Sequence, residues 1–276
     1  MQKRLAFSTL GSPEWSFERT VQQAGQMGFA AMEVRGIEAE LRVDALAPFQ
    51  PDRQVQTKRL LADVGVRICS VGTSATFDRP DRFDASIEEG NAALAVCHRM
   101  GIPAIRVFGD KHPEDAEDPK VWTQIIVEGL KRLCDEAEAL GGLQVWLEVH
   151  GHVNTVAALE QVLRQVGQRP AFGLIWDIQH SFRAVGNDFL PFYRVIQPYI
   201  RHLHIKDAIR TAQGLELVLP GEGEIDIPGI VHQVLRDGYQ GYFSFEWEKR
   251  WHPGLAEPET AFPAYVAYMQ SIVSDG

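Results

Sequence analysis

The chain has 276 residues, of which 45% are hydrophobic, so it is long enough to bury a sizeable core in one large domain or two small ones. It contains 27 Lys and Arg residues against 37 Asp and Glu residues, and the formal net charge of −10 argues against a nucleic-acid-binding protein. Three widely spaced cysteines and the absence of any apolar run of signal-peptide or membrane-spanning length predict a cytoplasmic protein with reduced thiols and no membrane segment.

Short apolar segments alternate with longer segments of helical periodicity along the whole chain. The strand candidates, in order, are RLAFST (4–9), AAMEVR (30–35), GVRICSVG (65–72), AIRVFG (104–109), LQVWLEVH (143–150), FGLIWDI (172–178), IRHLHIKD (200–207) and GYFSFEWE (241–248). The helix candidates cover residues 16–27, 56–65, 86–100, 121–140, 156–167 and 227–238. Because strands that alternate with helices pair in parallel, about eight such units predict one α/β domain over residues 1–276, a (β/α)8 TIM barrel. An open doubly wound sheet is the alternative.

Four consecutive strand candidates place ionisable groups inside this barrel. In a barrel strand, successive side chains face alternately the helix layer and the interior. The apolar positions of the fifth to eighth strands form unbroken sets, so the remaining positions belong to the interior. These interior positions include Glu148, Asp177, His204 and Glu246. All four lie near the carboxyl ends of their strands, where barrel active sites are built.

This set of interior residues predicts a site for one divalent metal ion. Any single member could form an ordinary ion pair, for example Glu148 with Arg106 or Lys206, but three carboxylates in one small space would repel one another without a cation. Carboxylates with one histidine and no thiolate suit Mn²⁺, Mg²⁺ or Co²⁺, and Zn²⁺ is also compatible. His204 is the predicted ligand of the RHLHIKD segment, because His202 lies roughly 6.6 Å deeper in the barrel.

An ordered series of motifs surrounds these residues. The motifs are FSTLGSPEWSFE, MGFAAMEVR, RVFGD, LEVHGH, WDIQHSF, HLHIKDA, LPGEGEID and GYFSFEWEKRWHP. The series covers nearly the whole chain and resembles the xylose isomerase-like TIM-barrel superfamily, the sugar phosphate isomerase/epimerase group that also contains endonuclease IV-type repair nucleases. The resemblance implies that the four interior residues bind the metal and that Glu148 and Glu246 form an acid/base pair. It also implies that His180 and Arg210 contact the substrate.

The repair nucleases of this superfamily use three zinc ions bound by additional histidines. In this chain, His112 lies past the turn after the fourth strand, and Pro228 stands where an Asp-x-His pair would need its histidine. A three-metal nuclease is therefore disfavoured.

Three further residues are candidates for substrate contacts. His150 shares the parity of Glu148, and Trp251 follows the eighth strand, where an aromatic ring could line a sugar pocket. Lys206 either binds substrate or neutralises a carboxylate, and the sequence does not choose between these roles.

Two more features near the predicted site have open interpretations. Glu33 ends the second strand and either faces the interior or pairs with Arg35 or Arg106. The segment GEGEID (221–226) lacks the third glycine of a dinucleotide-binding loop, so we interpret it as a mobile active-site loop.

The predicted site favours proton transfer next to a carbonyl group. A metal bound to the carbonyl and the adjacent hydroxyl stabilises an enediolate, and carboxylates from the fifth and eighth strands can carry a proton on either face. The leading hypothesis is a divalent-metal-dependent sugar or keto-polyol isomerase or epimerase acting on a small molecule. A dehydratase (lyase) of a keto-polyol such as an inosose or dehydroshikimate is the alternative, and a non-catalytic sugar-binding barrel is the third hypothesis. The substrate, the metal and a homo-oligomeric state stay open.

Overall fold

The computed structural model describes residues 4–110 and 119–274. The strands are β1 (Leu5–Ser8), β2 (Ala31–Val34), β3 (Arg67–Thr76), β4 (Ala104–Phe108), β5 (Gln144–Glu148), β6 (Phe172–Asp177), β7 (Ile200–Ile205), β8 (Asp207–Thr211), β9 (Gly214–Val218) and β10 (Phe243–Phe245). The helices are α1 (Phe17–Met27), α2 (Gln54–Val64), α3 (Phe83–Met100), α4 (Pro119–Leu140), α5 (Val156–Val166), α6 (Ile178–Val185), α7 (Leu190–Ile196), α8 (Ile227–Arg236) and α9 (Pro258–Ser274).

Eight parallel strands form a closed barrel in the order β1, β10, β7, β6, β5, β4, β3, β2. Each of the eight strand candidates forms one barrel strand, so the predicted single-domain TIM barrel is confirmed and the open doubly wound sheet is wrong. Because all eight strands are parallel, their carboxyl ends meet at one mouth of the barrel.

Local sequence signals start several of the helices between these strands. Ser16 Oγ accepts a hydrogen bond from the backbone N–H of Arg19 at the start of α1, and Thr155 caps α5 in the same way. These caps satisfy N–H groups that have no partner within the helix. The first turns of the helices therefore begin where the polar capping residues predict.

Three helices and one hairpin were not among the predicted elements. Helices α6, α7 and α9 are additional, and β8 pairs with β9 as an antiparallel hairpin after the seventh barrel strand. No helix among residues 4–110 and 119–274 has both the length and the apolar character needed to cross a membrane.

Helix α9 covers the seam where the first and last barrel strands pair. The ring of Tyr265 stacks on Phe245 of β10 with centroids 4.7 Å apart, and Phe262 packs against Phe7 of β1 at 4.6 Å. These contacts bury the outer faces of both strands and help to close the barrel.

The barrel interior changes character from one end to the other. Toward the amino ends of the strands, Ala6, Ala31 and Cys69 form a small apolar cluster. Further along, Trp146 packs with its apolar neighbours and stacks on His202 at 5.4 Å. The charged interior residues therefore lie above an apolar floor, at the mouth of the barrel.

Candidate active site

The four predicted ligand residues meet at the mouth of the barrel. Glu148 and Asp177 end β5 and β6, His204 lies on β7, and Glu246 directly follows β10. One potential ligand atom from each residue lies within 4.8 Å of the other three. We call these four residues the quartet. None is more than 3% exposed, so their charges are removed from water.

His204 directs its two ring nitrogens to different neighbours. Its Nε2 lies 3.1 Å from Oε2 of Glu33, and since a carboxylate can only accept, Nε2 carries the hydrogen. Its Nδ1 lies 3.2 Å from Glu246, 3.4 Å from Glu148 and 3.8 Å from Asp177. The Nδ1 atom therefore belongs to the quartet, and Glu33 holds the ring from the other side.

The donor set of the quartet fits a divalent metal ion. His204 Nδ1 is buried and has no hydrogen-bond partner within the described ranges, although carboxylate oxygens of the quartet surround it. Buried polar atoms are normally satisfied, and a ring nitrogen surrounded by carboxylate oxygens is a suitable ligand for a metal ion. Three carboxylates and one imidazole would hold Mn²⁺, Mg²⁺, Co²⁺ or Zn²⁺.

Asp177 serves the quartet and helix α6 at the same time. Its Oδ1 accepts hydrogen bonds from the backbone N–H groups of Gln179 at 2.9 Å and His180 at 3.0 Å, which caps α6. Its Oδ2 lies 3.8 Å from Nδ1 of His204. The helix cap thus fixes the rotation of the carboxylate and presents one oxygen to the quartet.

Lys206 places an ammonium group against the quartet. Its Nζ lies 2.6 Å from oxygens of Asp177, Glu246 and Glu248, and the residue is 1% exposed. Burial lowers the pKa of Lys206, but the three carboxylates outweigh burial and hold it well above its ordinary value. Of the two roles considered from sequence, the structure thus shows contact with carboxylates; a substrate contact stays a prediction.

Two carboxyl groups of the quartet have lowered pKa values. Burial raises the pKa of Glu246, yet the charges of His204 and Lys206 lower it to about 2. Burial likewise raises the pKa of Asp177, but Lys206 and the neighbouring histidines hold it well below its ordinary value. Glu246 and Asp177 are therefore ionised next to the ammonium of Lys206.

Glu148 has a different partner from Glu246. Its Oε2 lies 3.1 Å from Nε of Arg106, and both side chains are almost fully buried. The guanidinium of Arg106 also lies over the ring of Phe108, 3.9 Å from its centroid. Of the two ion-pair partners considered from sequence for Glu148, the structure shows Arg106.

His150 and His180 lie beside the quartet as a pair, with ring centroids 4.1 Å apart. His150 Nδ1 lies 3.4 Å from Oδ1 of Asp110, and although burial lowers the pKa of His150, Asp110 raises it above its ordinary value. Burial lowers the pKa of His180 to about 4, so this ring is neutral at pH 7. Both rings are near enough to the mouth to meet substrate, which stays a prediction. His112 lies outside the described residues.

Arg210 and Trp251 lie farther out. Arg210 is on the β8–β9 hairpin, its side chain is 53% exposed, and its guanidinium packs over Phe182 of α6 at 4.5 Å. Trp251 follows β10 and is 49% exposed. In the described part of the chain, neither side chain forms a hydrogen bond or ion pair with the quartet. Their substrate contacts stay predictions.

Residues 21–272 match the family model described as xylose isomerase-like TIM barrel. The chain belongs to this family. The match spans most of the barrel and includes every residue of the quartet.

The curated relatives of this chain include dehydratases. The chain is 24% identical over 275 residues to an inosose dehydratase of Geobacillus thermodenitrificans, covering 89% of this chain and 86% of that protein. It is also 24% identical over 205 residues to a 3-dehydroshikimate dehydratase of Pseudomonas putida, covering 69% of this chain. The match spans only 31% of the length of the latter protein.

Solved structures of xylose isomerase-like barrels share the fold. The IOLI protein with a bound zinc atom has a TM-score of 0.79 at 18% identity, covering 99% of this chain and 98% of that one. A D-psicose 3-epimerase of Clostridium cellulolyticum H10, solved with D-tagatose, has a TM-score of 0.76 at 17% identity, with 98% of both chains covered. At these identities the likeness concerns the fold alone.

Glu33 of this xylose isomerase-like barrel faces the interior, which is one of the two interpretations of the sequence. It is fully buried and its Oε2 contacts His202 and His204, so the alternative pairing with Arg35 or Arg106 is wrong. The contact partner lies across the barrel, and no local pattern around Glu33 could have identified it.

A second acidic residue, Asp207, directly follows Lys206 and contacts the loop 219–226. Its carboxylate accepts hydrogen bonds from the backbone N–H groups of Gly221, Gly223 and Ile225 at 2.8, 2.9 and 3.3 Å. This loop contains the GEGEID segment, and the mobility of that segment stays a prediction. The hydrogen bonds place the loop next to the end of β7, the strand that carries His204.

Proposed function

We propose that the protein is a divalent-metal-dependent dehydratase that removes water from a small keto-polyol. The observation that carries this proposal is the unlike environment of two buried carboxylates: Glu148 lies beside the guanidinium of Arg106, whereas Glu246 accepts a 2.6 Å hydrogen bond from the ammonium of Lys206. Elimination of water needs a base at one carbon and a proton source at the next, which are two unlike groups. The dehydratases among the curated relatives support the same reaction class.

The quartet would hold the metal ion, which when bound would act as a Lewis acid toward the carbonyl and adjacent hydroxyl of the substrate. The protein holds the side chains of the quartet in fixed orientations. Glu33 orients the ring of His204, and the α6 cap orients Asp177. Ligands held in this way need little rearrangement when a substrate binds.

In the proposed reaction, Glu148 takes the proton from the carbon next to the carbonyl, and the C–H bond breaks. The C–O bond of the hydroxyl on the following carbon then breaks, and its oxygen takes a proton from the ammonium of Lys206, which Glu246 holds in position, and leaves as water. The new C=C bond is conjugated with the carbonyl. Arg106 keeps the carboxylate of Glu148 in position throughout.

An isomerase or epimerase is the second candidate. Glu148 and Glu246 approach the quartet from β5 and β10, which β6 and β7 separate in the barrel. Carboxylates on different sides of a planar intermediate could exchange protons with both faces of one carbon.

The test is a screen of Mn²⁺-loaded protein against inososes, dehydroshikimate and free ketoses in D₂O. A dehydratase gives a product with new conjugated ultraviolet absorbance and loses one water by mass, and Glu148→Gln should reduce that rate by at least about 100-fold. Deuterium incorporation with isomer formation and no new absorbance would select the epimerase instead. If no compound gives either signal, both candidate functions are rejected.

A further inference from the structure

A second charged region opens beside the quartet at the ends of β2, β3 and β4. There a cavity of about 420 Å³ is lined by three arginines, among them Arg35, by the acidic residues Glu89 and Asp110, and by uncharged residues that include Ser74 and Phe108. This volume falls in the range of pockets that bind small molecules. None of the lining residues belongs to the quartet.

Arg35 carries a buried charge that the described residues do not neutralise. It is 6% exposed, its Nη2 donates to Ser74 Oγ at 2.9 Å, and its Nη1 is buried without a hydrogen-bond partner. No carboxylate within residues 4–110 and 119–274 forms an ion pair with it. Burial, followed by the charge of Arg106, lowers the pKa of Arg35 to about 10, and Glu89 and Glu246 only partly oppose this.

The contrast with other arginines of the chain is informative. Arg106, which is 1% exposed, has the Glu148 carboxylate at 3.1 Å, and Arg169, whose side chain is 21% exposed, is paired with both Asp135 and Glu138. A buried guanidinium is costly unless an anion accompanies it. Arg35 therefore lacks a partner that comparable residues in this protein have.

Arg35 is directly connected to the proposed active site. Gly72 of β3 lies between two guanidinium side chains: a Cβ atom there would be 2.6 Å from Arg35 Cδ and 2.8 Å from Arg106 Nη2. Arg106 in turn contacts Glu148. The absence of a side chain at Gly72 thus lets the two arginines pack next to each other, one at the quartet and one at the cavity.

We propose that Arg35 is the anion-recognition residue of the substrate site and that the substrate is an acidic keto-polyol, whose carboxylate or phosphate occupies the cavity while its carbonyl end lies at the quartet. This inference rests on the proposed function, because it assigns the substrate class of the same site. A guanidinium binds such anions through charge-assisted hydrogen bonds, and the side chain of Arg35 lines the cavity without an ion-pair partner among the described residues. Neutral inososes would leave this charge without a partner.

The test measures binding without turnover. Shikimate, inorganic phosphate and myo-inositol serve as carboxylate, phosphate and neutral probes, titrated by calorimetry into Mn²⁺-loaded wild type, Arg35→Met and Arg35→Lys. We expect wild type to bind an anionic probe, Arg35→Met to lose about 10- to 100-fold in affinity for it, and Arg35→Lys to lose less. Arg59→Met, which alters an exposed arginine, is the matched control and should bind as wild type does.

The probes separate the two anion sources. Preference for shikimate assigns the cavity to a carboxylate, and preference for phosphate assigns it to a phosphoryl group. Equal affinity of wild type and Arg35→Met for the anions, or no preference of wild type for an anion over myo-inositol, would overturn the proposal. If Arg35→Met fails to fold, the anion affinities of Arg35→Lys and wild type are compared instead, and equal affinities would overturn the proposal.

Failure of this inference differs from failure of the proposed function. Anion binding that depends on Arg35 without any elimination of water would refute only the dehydratase. Elimination from neutral and acidic keto-polyols at equal rates, unaffected by Arg35→Met, would refute only the role of Arg35.

Discussion

At the residue scale, the site depends on which ring nitrogen His204 presents to the quartet. Glu33 Oε2 lies 3.1 Å from His204 Nε2, and Ser70 Oγ donates to the same oxygen at 3.1 Å. Burial raises the pKa of Glu33, but His204 and His202 hold it well below its ordinary value, so the carboxylate is an acceptor. This carboxylate leaves Nδ1 of His204 free for a metal ion.

Replacing Glu33 by Gln should weaken Mn²⁺ binding by about 10- to 100-fold, because the ring of His204 loses the carboxylate that orients it. Isothermal titration calorimetry of the metal-free proteins measures this. Ser70→Ala removes one hydrogen bond to Glu33 but keeps the carboxylate, and should change the affinity by no more than about threefold. Unchanged Mn²⁺ affinity in Glu33→Gln would show that Glu33 does not orient the ring of His204.

The ionisation of Glu246 predicts a pH dependence of stability in the metal-free protein. Its pKa falls from an ordinary value of 4.5 to about 2, because His204 and Lys206 outweigh burial. A carboxyl with a lowered pKa stabilises the fold above its unfolded-state pKa and loses this contribution as the pH falls through the folded-state value. The difference in unfolding free energy between wild type and Glu246→Gln should therefore shrink by about 2 kcal/mol from pH 7 to pH 3. Urea titrations at both pH values test this, and a constant difference would contradict it.

Residue parity predicted the quartet but not its surroundings. Glu148, Asp177, His204 and Glu246 alternate with apolar residues, and a period of two is a local property of the chain. Glu33 contacts His204 although β1 and β10 lie between their strands, so this contact depends on the curvature of the closed barrel. No spacing in the sequence contains that information.

At the element scale, the side chain of Asp207 joins the hairpin β8–β9 to the loop after it. Asp207 begins β8, and its carboxylate accepts hydrogen bonds from three N–H groups of the 219–226 loop as well as from Ala208. Gly223 permits this approach, since a Cβ atom there would lie 2.0 Å from Asp207 Oδ1. The loop is thereby held next to Lys206, which lies between β7 and β8.

Asp207→Ala should lower the unfolding free energy by about 2–4 kcal/mol, because it leaves several N–H groups without an acceptor. It should also increase proteolytic cleavage within residues 219–226. Limited proteolysis and urea denaturation measure both effects. Glu222→Ala, an exposed change in the same loop, is the control and should alter neither. Cleavage of Asp207→Ala at the control rate would mean that the loop is held by other contacts.

The eight barrel strands were predictable because each is a short apolar run between helical segments. Helix α6 was missed because it starts at once after Asp177, with no loop to separate strand from helix. Helix α9 contains Pro263, which weakens its helical pattern, and its position depends on packing against β1 and β10. No strand is predicted for residues 208–218, where β8 pairs with β9 around a turn before Gly214.

At the scale of the whole molecule, the residues that stabilise the barrel and the residues of the candidate active site lie at different ends of it. Apolar clusters fill the interior toward the amino ends of the strands, and α9 closes the seam. The charged residues converge at the opposite mouth, where parallel strands of any such barrel deliver them. The fold thus accounts for the position of the quartet, whereas the substrate depends on residues such as Arg35 at its edge. The cytoplasmic location and the absence of a nucleic-acid partner stay predictions.

The central claim is that the quartet holds one divalent metal ion through Nδ1 of His204. Equilibrium dialysis against Mn²⁺ followed by elemental analysis tests it on wild type, His204→Ala and His202→Ala. We expect one Mn²⁺ per chain in wild type and in His202→Ala, and a loss of affinity of at least about 100-fold in His204→Ala. Absence of Mn²⁺ from wild type, or equal retention by both histidine variants, would contradict the account.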